Sequence, residues 1–230
     1  MTTRETVRRF AVGTLLAAAV LVVHSASARA GDEIRERVEW AAEAYHDLVA
    51  APDAGVPRWL LGEAKCIAVV PHVVKGAFLF GARYGRGVIT CRSSRGEWSP
   101  PVFIKLGGPS FGLQWGAQAT DLVLFFRKER GVRSLLESRL TLGGDAGVAA
   151  GPVGRRAEAG VDVKLNADIL SYARTKGAFL GVSFEGTYLS ADSEANRRYY
   201  GSEIDPEAVL FRGEVDLVPS SARALLDQLP

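Results

Sequence analysis

Residues able to make or break bonds are sparse in this chain, and their surroundings do not suit the chemistry they suggest. Gly108-Pro109-Ser110-Phe111-Gly112 has the G-x-S-x-G spacing of a nucleophile elbow, where a sharp strand-to-helix turn presents the serine hydroxyl. Here Leu113-Gln114-Trp115-Gly116 alternates like a strand beyond it, and no histidine follows Ser110 to act as base in the hydrolase order. His46 and His72 are the only histidines after residue 30, and neither belongs to an H-E-x-x-H motif or a zinc-spaced cluster. Cys66 and Cys91, the only cysteines, cannot complete a tetrahedral metal site by themselves. The chain is therefore read as non-enzymatic, with no metal and no cofactor. A hydrolase centred on Ser110 ranks below that reading.

Residues suited to holding a ligand are better represented. Lys75-Gly76-Ala77-Phe78-Leu79 returns unchanged as Lys176-Gly177-Ala178-Phe179-Leu180. A cation, a glycine and a short apolar run form a compact unit for a strand that starts beside an anionic group, and the two lysines are expected to begin neighbouring or pseudo-symmetric strands at one rim. Other cations lie close by in sequence, notably Arg83, Arg86 and Arg174, with Tyr84, Phe80, Tyr199 and Tyr200 as aromatic company. Lys75, Lys176, Arg83, Arg86 and Arg174 with Phe78 and Phe179 are the candidate lipid-binding set: cations for headgroups, rings for acyl chains. Gly151, Gly154, Arg155 and Arg156 form a candidate anion cradle of backbone N–H groups and guanidinium ions. Glycine as a packing device in a strand is the preferred reading of that block.

The elements that must position these groups follow from periodicity. Glu33 to Ala50 repeats apolar residues at three- and four-residue steps through Ile34, Val38, Ala41, Ala42, Tyr45, Leu48 and Val49, which predicts a helix packing one stripe on a sheet. Its charged residues are mostly acidic, the reverse of a helix built to lie on anionic lipid. Arg58 to Lys65 is a shorter helix opened by Pro57. Strands are expected at Cys66–Val70, stopped by Pro71, and then at 76–84, 87–92, 102–106, 110–118 and 121–127. A helix over 129–139 precedes strands at 141–153, 159–165, 178–184 and 187–190, and short helices at 194–200, 206–211 and 222–228 close the chain, the last capped by Ser220 or Ser221. The class is α+β: a large, mainly antiparallel, strongly coiled or partly closed, barrel-like sheet with helices at both ends. Glycines inside strands, of the 25 in the chain, are the reason to expect coiling.

The first thirty residues read as an export signal, with Arg4, Arg8 and Arg9 before an apolar stretch at 10–23 and Ala28-Arg29-Ala30 as cleavage site. An uncleaved anchor is the alternative, although fourteen apolar residues fall short of a span. Removing this segment takes four arginines and one glutamate from the 28 basic and 26 acidic residues, which moves the net charge from +2 to −1. Without a global positive field, nucleic acid is not an expected partner. Residues 31–63 are expected to be a helical lead, 64–201 the main domain, and 202–230 a helical extension on it. In a periplasm Cys66 and Cys91 are expected to bridge, two buried thiols being the alternative.

Ordered blocks from Ala64 to Gly201 carry a family likeness. They include Ile67-Ala68-Val69-Val70-Pro71, Tyr84-Gly85-Arg86-Gly87, Trp98-Ser99-Pro100-Pro101 and Gly112-Leu113-Gln114-Trp115-Gly116-Ala117-Gln118. Leu142-Gly143-Gly144-Asp145, Ala150-Gly151-Pro152-Val153-Gly154-Arg155, Ile169-Leu170-Ser171-Tyr172-Ala173-Arg174 and Tyr199-Tyr200-Gly201 follow in order. This stretch resembles the SYLF domain, a family of lipid-binding modules that also includes fungal actin-binding proteins. The resemblance implies a non-enzymatic domain that binds phospholipid, sometimes with a partner protein. An export signal and an acidic first helix depart from the eukaryotic pattern, so actin and phosphoinositides are not expected here. An anionic phospholipid or membrane surface in the bacterial envelope is the expected partner; an envelope scaffolding protein without lipid is the alternative.

Overall fold

The computed structural model describes residues 31–51, 56–77, 80–93, 95–111, 118–152, 167–175, 178–180, 184–215 and 218–230. Helices α1 (residues 31–49) and α2 (Arg58–Glu63) lead into four long strands, β1 (Cys66–Ala77), β2 (Phe80–Cys91), β3 (Val102–Phe111) and β4 (Gln118–Phe126). Then come α3 (Glu129–Glu137), β5 (Leu140–Thr141), β6 (Val148–Ala150), β7 (Ile169–Thr175), β8 (Ala178–Leu180) and β9 (Tyr188–Ala191). Helix α4 (Ser193–Tyr200), a π-helical turn (Ala208–Arg212) and α5 (Ala222–Leu226) complete the chain. The strands form one sheet in the order β5-β9-β3-β2-β1-β4-β7-β6, and β8 joins β7 beyond β6. All pairings are antiparallel except β6 with β7. The expected α+β class with a coiled antiparallel sheet is what the chain adopts.

Chain length alone requires the sheet to curl. A flat sheet would separate β5 from β6 by seven strand spacings, roughly 34 Å at about 4.8 Å each. The chain links Thr141 to Val148 directly, and seven extended residues reach only about 24 Å. The two edges therefore approach each other, giving a half-closed barrel.

Alternation along the strands creates two cores. Cys66, Ala68 and Val70 of β1 join Ile104, Leu124 and Phe126 on one face, covered by Val132 and Leu135 of α3 and by Val209 and Leu210 of the π-helical turn. Ile67 and Val69 join Phe103, Val123 and Tyr172 on the other, beneath α1, α2, α4 and α5. The predicted stripe on α1 is buried against this second face, from Ile34 through Val38 and Tyr45 to Leu48. Tyr199 and Tyr200, grouped above with the lipid-contacting rings, are core residues here: Tyr200 donates to the Pro101 carbonyl at 2.7 Å, and the Tyr199 hydroxyl meets that of Ser221 at 3.0 Å. Among the described residues no helix is long and apolar enough to cross a membrane.

Pro71 does not end β1. The strand runs on to Ala77, but its register slips by one residue against both β2 and β4 between residues 69 and 74. This is a bulge at Pro71-His72, where the missing proline N–H already breaks the ladder. His72 adopts φ 51°, and its N–H bonds to Asp121 Oδ1 at 2.9 Å. The bulge presses β1 onto β2 so closely that a Cβ on Gly87 would lie 2.1 Å from the Val69 carbonyl oxygen. Other boundaries also shift. Residues 76–84 hold the end of β1 and the start of β2 rather than one strand, and β7 is a full strand that the periodicity did not separate. Ser221 precedes α5 without a side-chain cap.

Cys66 and Cys91 are register partners on β1 and β2, fully buried and disulfide-bonded (S–S 2.04 Å). Closing a loop of sequence separation 25 stabilises by about 3.5 kcal/mol in the chain-entropy model. The double variant C66S/C91S should lose stability of that order, read as a lower urea midpoint with a somewhat steeper slope, because the unlinked unfolded chain exposes more surface.

Candidate functional site

The strand register sorts the α1 side of the sheet into rows. Beneath α1 lies an apolar row: Phe103, Val88, Val69, Val123 and Tyr172, each paired with the next across five strands. Two residues further along each strand, about 7 Å away at 3.4 Å per residue, the row turns polar. It holds Ser190, Lys105 and Arg86, then the bulge at His72, then Asp121 and Arg174. The next row is Tyr188, Gly107, Tyr84, Val74 and Ala119, again register partners throughout. Tyr188, Tyr84, Val74 and Ala119 of this row are exposed, and Gly107 is covered by the Tyr188 ring. A last row of Pro109, Ala82 and Gly76 is exposed and small.

This shelf of sheet extends past the edge of α1. Among the described residues five large apolar side chains are exposed: Trp40, Val74, Tyr84, Tyr188 and Val218. Four of them sit on or beside the shelf, since Trp40 leaves α1 to meet the His72 ring edge-on at 5.5 Å. Cations stand by the rings. The Arg86 guanidinium lies 5.7 Å from the Tyr84 ring centre, and that of Arg139 lies 5.9 Å from Tyr188. Arg86 Nε also donates to the Tyr84 hydroxyl, and this bond is the main reason its pKa is raised.

The charged row ties α1 to the sheet at both ends. Arg86 bonds Glu33 at 3.3 Å near the helix start, and Arg174 bonds the Asp47 carboxylate at 3.1 Å and its carbonyl at 2.7 Å near the helix end. Between them Arg37, almost wholly buried, pairs with Asp192 at 3.4 Å and lies 5.6 Å from the Phe103 ring centre. Burial lowers the Arg37 pKa, opposed by the Asp192 charge. Asp192 also accepts from Lys105 at 3.1 Å and from the Ala195 N–H of α4 at 3.2 Å.

The candidate cations thus divide between two faces and two duties. Arg86 and Arg174 face α1 and hold it. Lys75 and Arg83 are register partners on the opposite face, where Arg83 lies 4.9 Å from the Phe184 ring centre with its pKa lowered by burial. Phe179 stands opposite Arg174 in the β7–β8 register. Lys176, Phe78, Gly154, Arg155 and Arg156 lie outside the described residues. Of the two pentapeptide copies, the first has Lys75 inside β1, whereas Lys176 and Gly177 of the second lie outside the described residues, which resume at β8 (Ala178–Leu180). Their flanks still share one end of the sheet, because Lys75 pairs with Gln118 on β4 and Thr175 bonds Thr120 on the same strand at 2.7 Å. Gly151 serves packing, since a Cβ there would lie 2.1 Å from the Tyr172 ring, whose hydroxyl donates to Pro152 O at 3.1 Å.

Trp40, Val74, Tyr188 and Lys105 were not singled out by sequence. Val74 and Tyr84 acquire a common face only through the bulge, which inverts the alternation of β1 past His72. Among the described residues no group of three or more histidine, cysteine, aspartate or glutamate side chains could hold a metal.

Comparison with known proteins places the chain in a family. The chain is 37% identical over 180 residues to SH3 domain-containing YSC84-like protein 1 of Xenopus laevis, covering 77% of this chain and 53% of that protein. It is 38% identical over 172 residues to Protein YSC84 of Saccharomyces cerevisiae, covering 74% and 36%, and 36% identical over 161 residues to the human YSC84-like protein 1, covering 70% and 47%. The chain spans about a third to a half of the length of these curated relatives. Their names describe an SH3-containing or YSC84-like protein rather than an enzyme. The family model described as Ysc84, Las17-binding protein actin regulator, matches residues 107–230. The chain belongs to the Ysc84 family, the SYLF-domain family that its ordered sequence blocks resemble.

Proposed function

We propose that this chain is a non-enzymatic module that docks on anionic membrane lipid through the shelf beside α1. One observation supports this most: an exposed apolar row with two tyrosines runs parallel to a charged row about 7 Å behind it. That is the order of an interfacial surface, in which apolar groups enter the acyl boundary, aromatic rings sit at headgroup level and cations meet the phosphates. A role in the bacterial envelope belongs to the same proposal, supported by the leader-like residues 1–30 and by a disulfide of the kind that persists in oxidising compartments.

Vesicle flotation of the full chain tests the proposal by difference, so that any contribution from residues 10–23 cancels. Wild type should float with vesicles containing phosphatidylglycerol more than with phosphatidylcholine alone, and less so at 0.5 M salt. Val74→Asp combined with Tyr84→Ser should lower the partition coefficient at least about tenfold, since burying two such side chains contributes a few kcal/mol. Equal flotation of the variant and wild type would falsify the docking surface. Loss of flotation with retention of a protein partner would instead point to the scaffolding alternative.

A further inference from the structure

We infer that Arg86 and Lys105 form the seat for one phosphodiester group; this rests on the lipid-docking reading and gives it a headgroup site. The two are register partners on β2 and β3, on the α1 side of the sheet. Like charges directly opposite each other on a sheet are unfavourable unless anions lie between or beside them. The chain supplies only part of that compensation. Five charged groups meet here: Arg37, Arg86 and Lys105 against Glu33 and Asp192. Each carboxylate is shared, Glu33 by Arg37 and Arg86, and Asp192 by Arg37 and Lys105. One positive charge is left over, matching the single negative charge of a phosphodiester.

Geometry selects where that charge is available. Arg37 is sealed under α1, whereas the Arg86 and Lys105 side chains are 45% and 41% exposed. Both keep donors beyond those already engaged, because a guanidinium has five N–H groups and an ammonium three. Paired residues on adjacent strands stand about 5 Å apart at their Cα atoms, close enough for both side chains to reach one tetrahedral phosphate, each donating to a different oxygen. Tyr84, bonded to Arg86, places the seat at the border of the exposed apolar row. A lipid phosphate at this point leaves its acyl chains over Tyr84 and Val74. Free phosphate shares the headgroup chemistry but lacks the chains, so affinity from the row separates the two sources.

The full chain is titrated with glycerophosphoglycerol, a soluble phosphodiester, and, separately, with acetate, following amide shifts of β2 and β3 by NMR. Glycerophosphoglycerol should saturate shifts around residues 86 and 105 and bind more tightly than acetate. Lys105→Gln should weaken it about tenfold, the effect of one charge-assisted hydrogen bond, and cut flotation on phosphatidylglycerol vesicles. Glycerophosphoglycerol binding that is absent, no tighter than acetate, or unaffected by Lys105→Gln overturns the seat. Failure of wild type to float on any vesicle overturns the docking reading instead and, with saturable glycerophosphoglycerol binding intact, assigns the seat to a soluble phosphodiester.

Discussion

Replacing Asp192 with alanine should destabilise the protein by about 4 kcal/mol, the range seen when one partner of a buried ion pair is removed. The side chain is almost fully buried, bonds Arg37 and Lys105, and caps α4 through the Ala195 N–H. Alanine would leave Arg37 charged beneath α1 with only the more distant Glu33 at 3.6 Å. The lost cap adds about 1 kcal/mol to the effect. Asparagine at 192 keeps an acceptor for the cap but not the charge, so its loss should be intermediate. Urea midpoints measured on the three proteins check the order; a wild-type midpoint for Asp192→Ala would mean that the Arg37–Asp192 pair contributes nothing to holding α1.

Gly87→Ala should be at least as damaging, costing more than about 3 kcal/mol or preventing folding. Its Cβ would lie 2.1 Å from Val69 O and 2.7 Å from Val70 Cα, both backbone atoms that cannot rotate aside. Relief would require β1 to lift off β2, undoing the bulge and the register beyond it. Gly76 offers a matched control in the same strand pair, because nothing lies within 4 Å of a Cβ there. Gly76→Ala should fall within about 0.5 kcal/mol of wild type, as surface substitutions do. Circular dichroism melts of both variants decide the point, and equal effects would remove the close approach as the reason for glycine at 87.

The helices were legible in sequence because their signals are local. The stripe of α1 and the α3 pattern around Val132 and Leu135 each depend on neighbours within a few positions. The curl was also signalled, by glycines that a flat strand would not carry. Strand boundaries were not legible where a distant partner sets them. Pro71 reads as a stop, but pairing with β2 and β4 on both sides carries β1 through it at the expense of a bulge. The site was half legible. Arg86 and Tyr84, both picked from the sequence, do come together beside the exposed row, but Arg174 meets Asp47 from 127 positions away, a contact no local pattern announces. Lys105 was passed over because one lysine in a strand carries no signal until its register partner is known.

Depth of insertion tests the central claim most directly. An environment-sensitive fluorophore on Val74→Cys, in the exposed row, is compared with one on Glu97→Cys in the exposed β2–β3 connection at the far end of those strands. With phosphatidylglycerol vesicles the label at 74 should shift to the blue and be quenched by nitroxides on the acyl chains, while the label at 97 keeps its solution spectrum. A label at 74 that stays in water while the protein is vesicle-bound, or equal quenching at both positions, contradicts docking through the shelf.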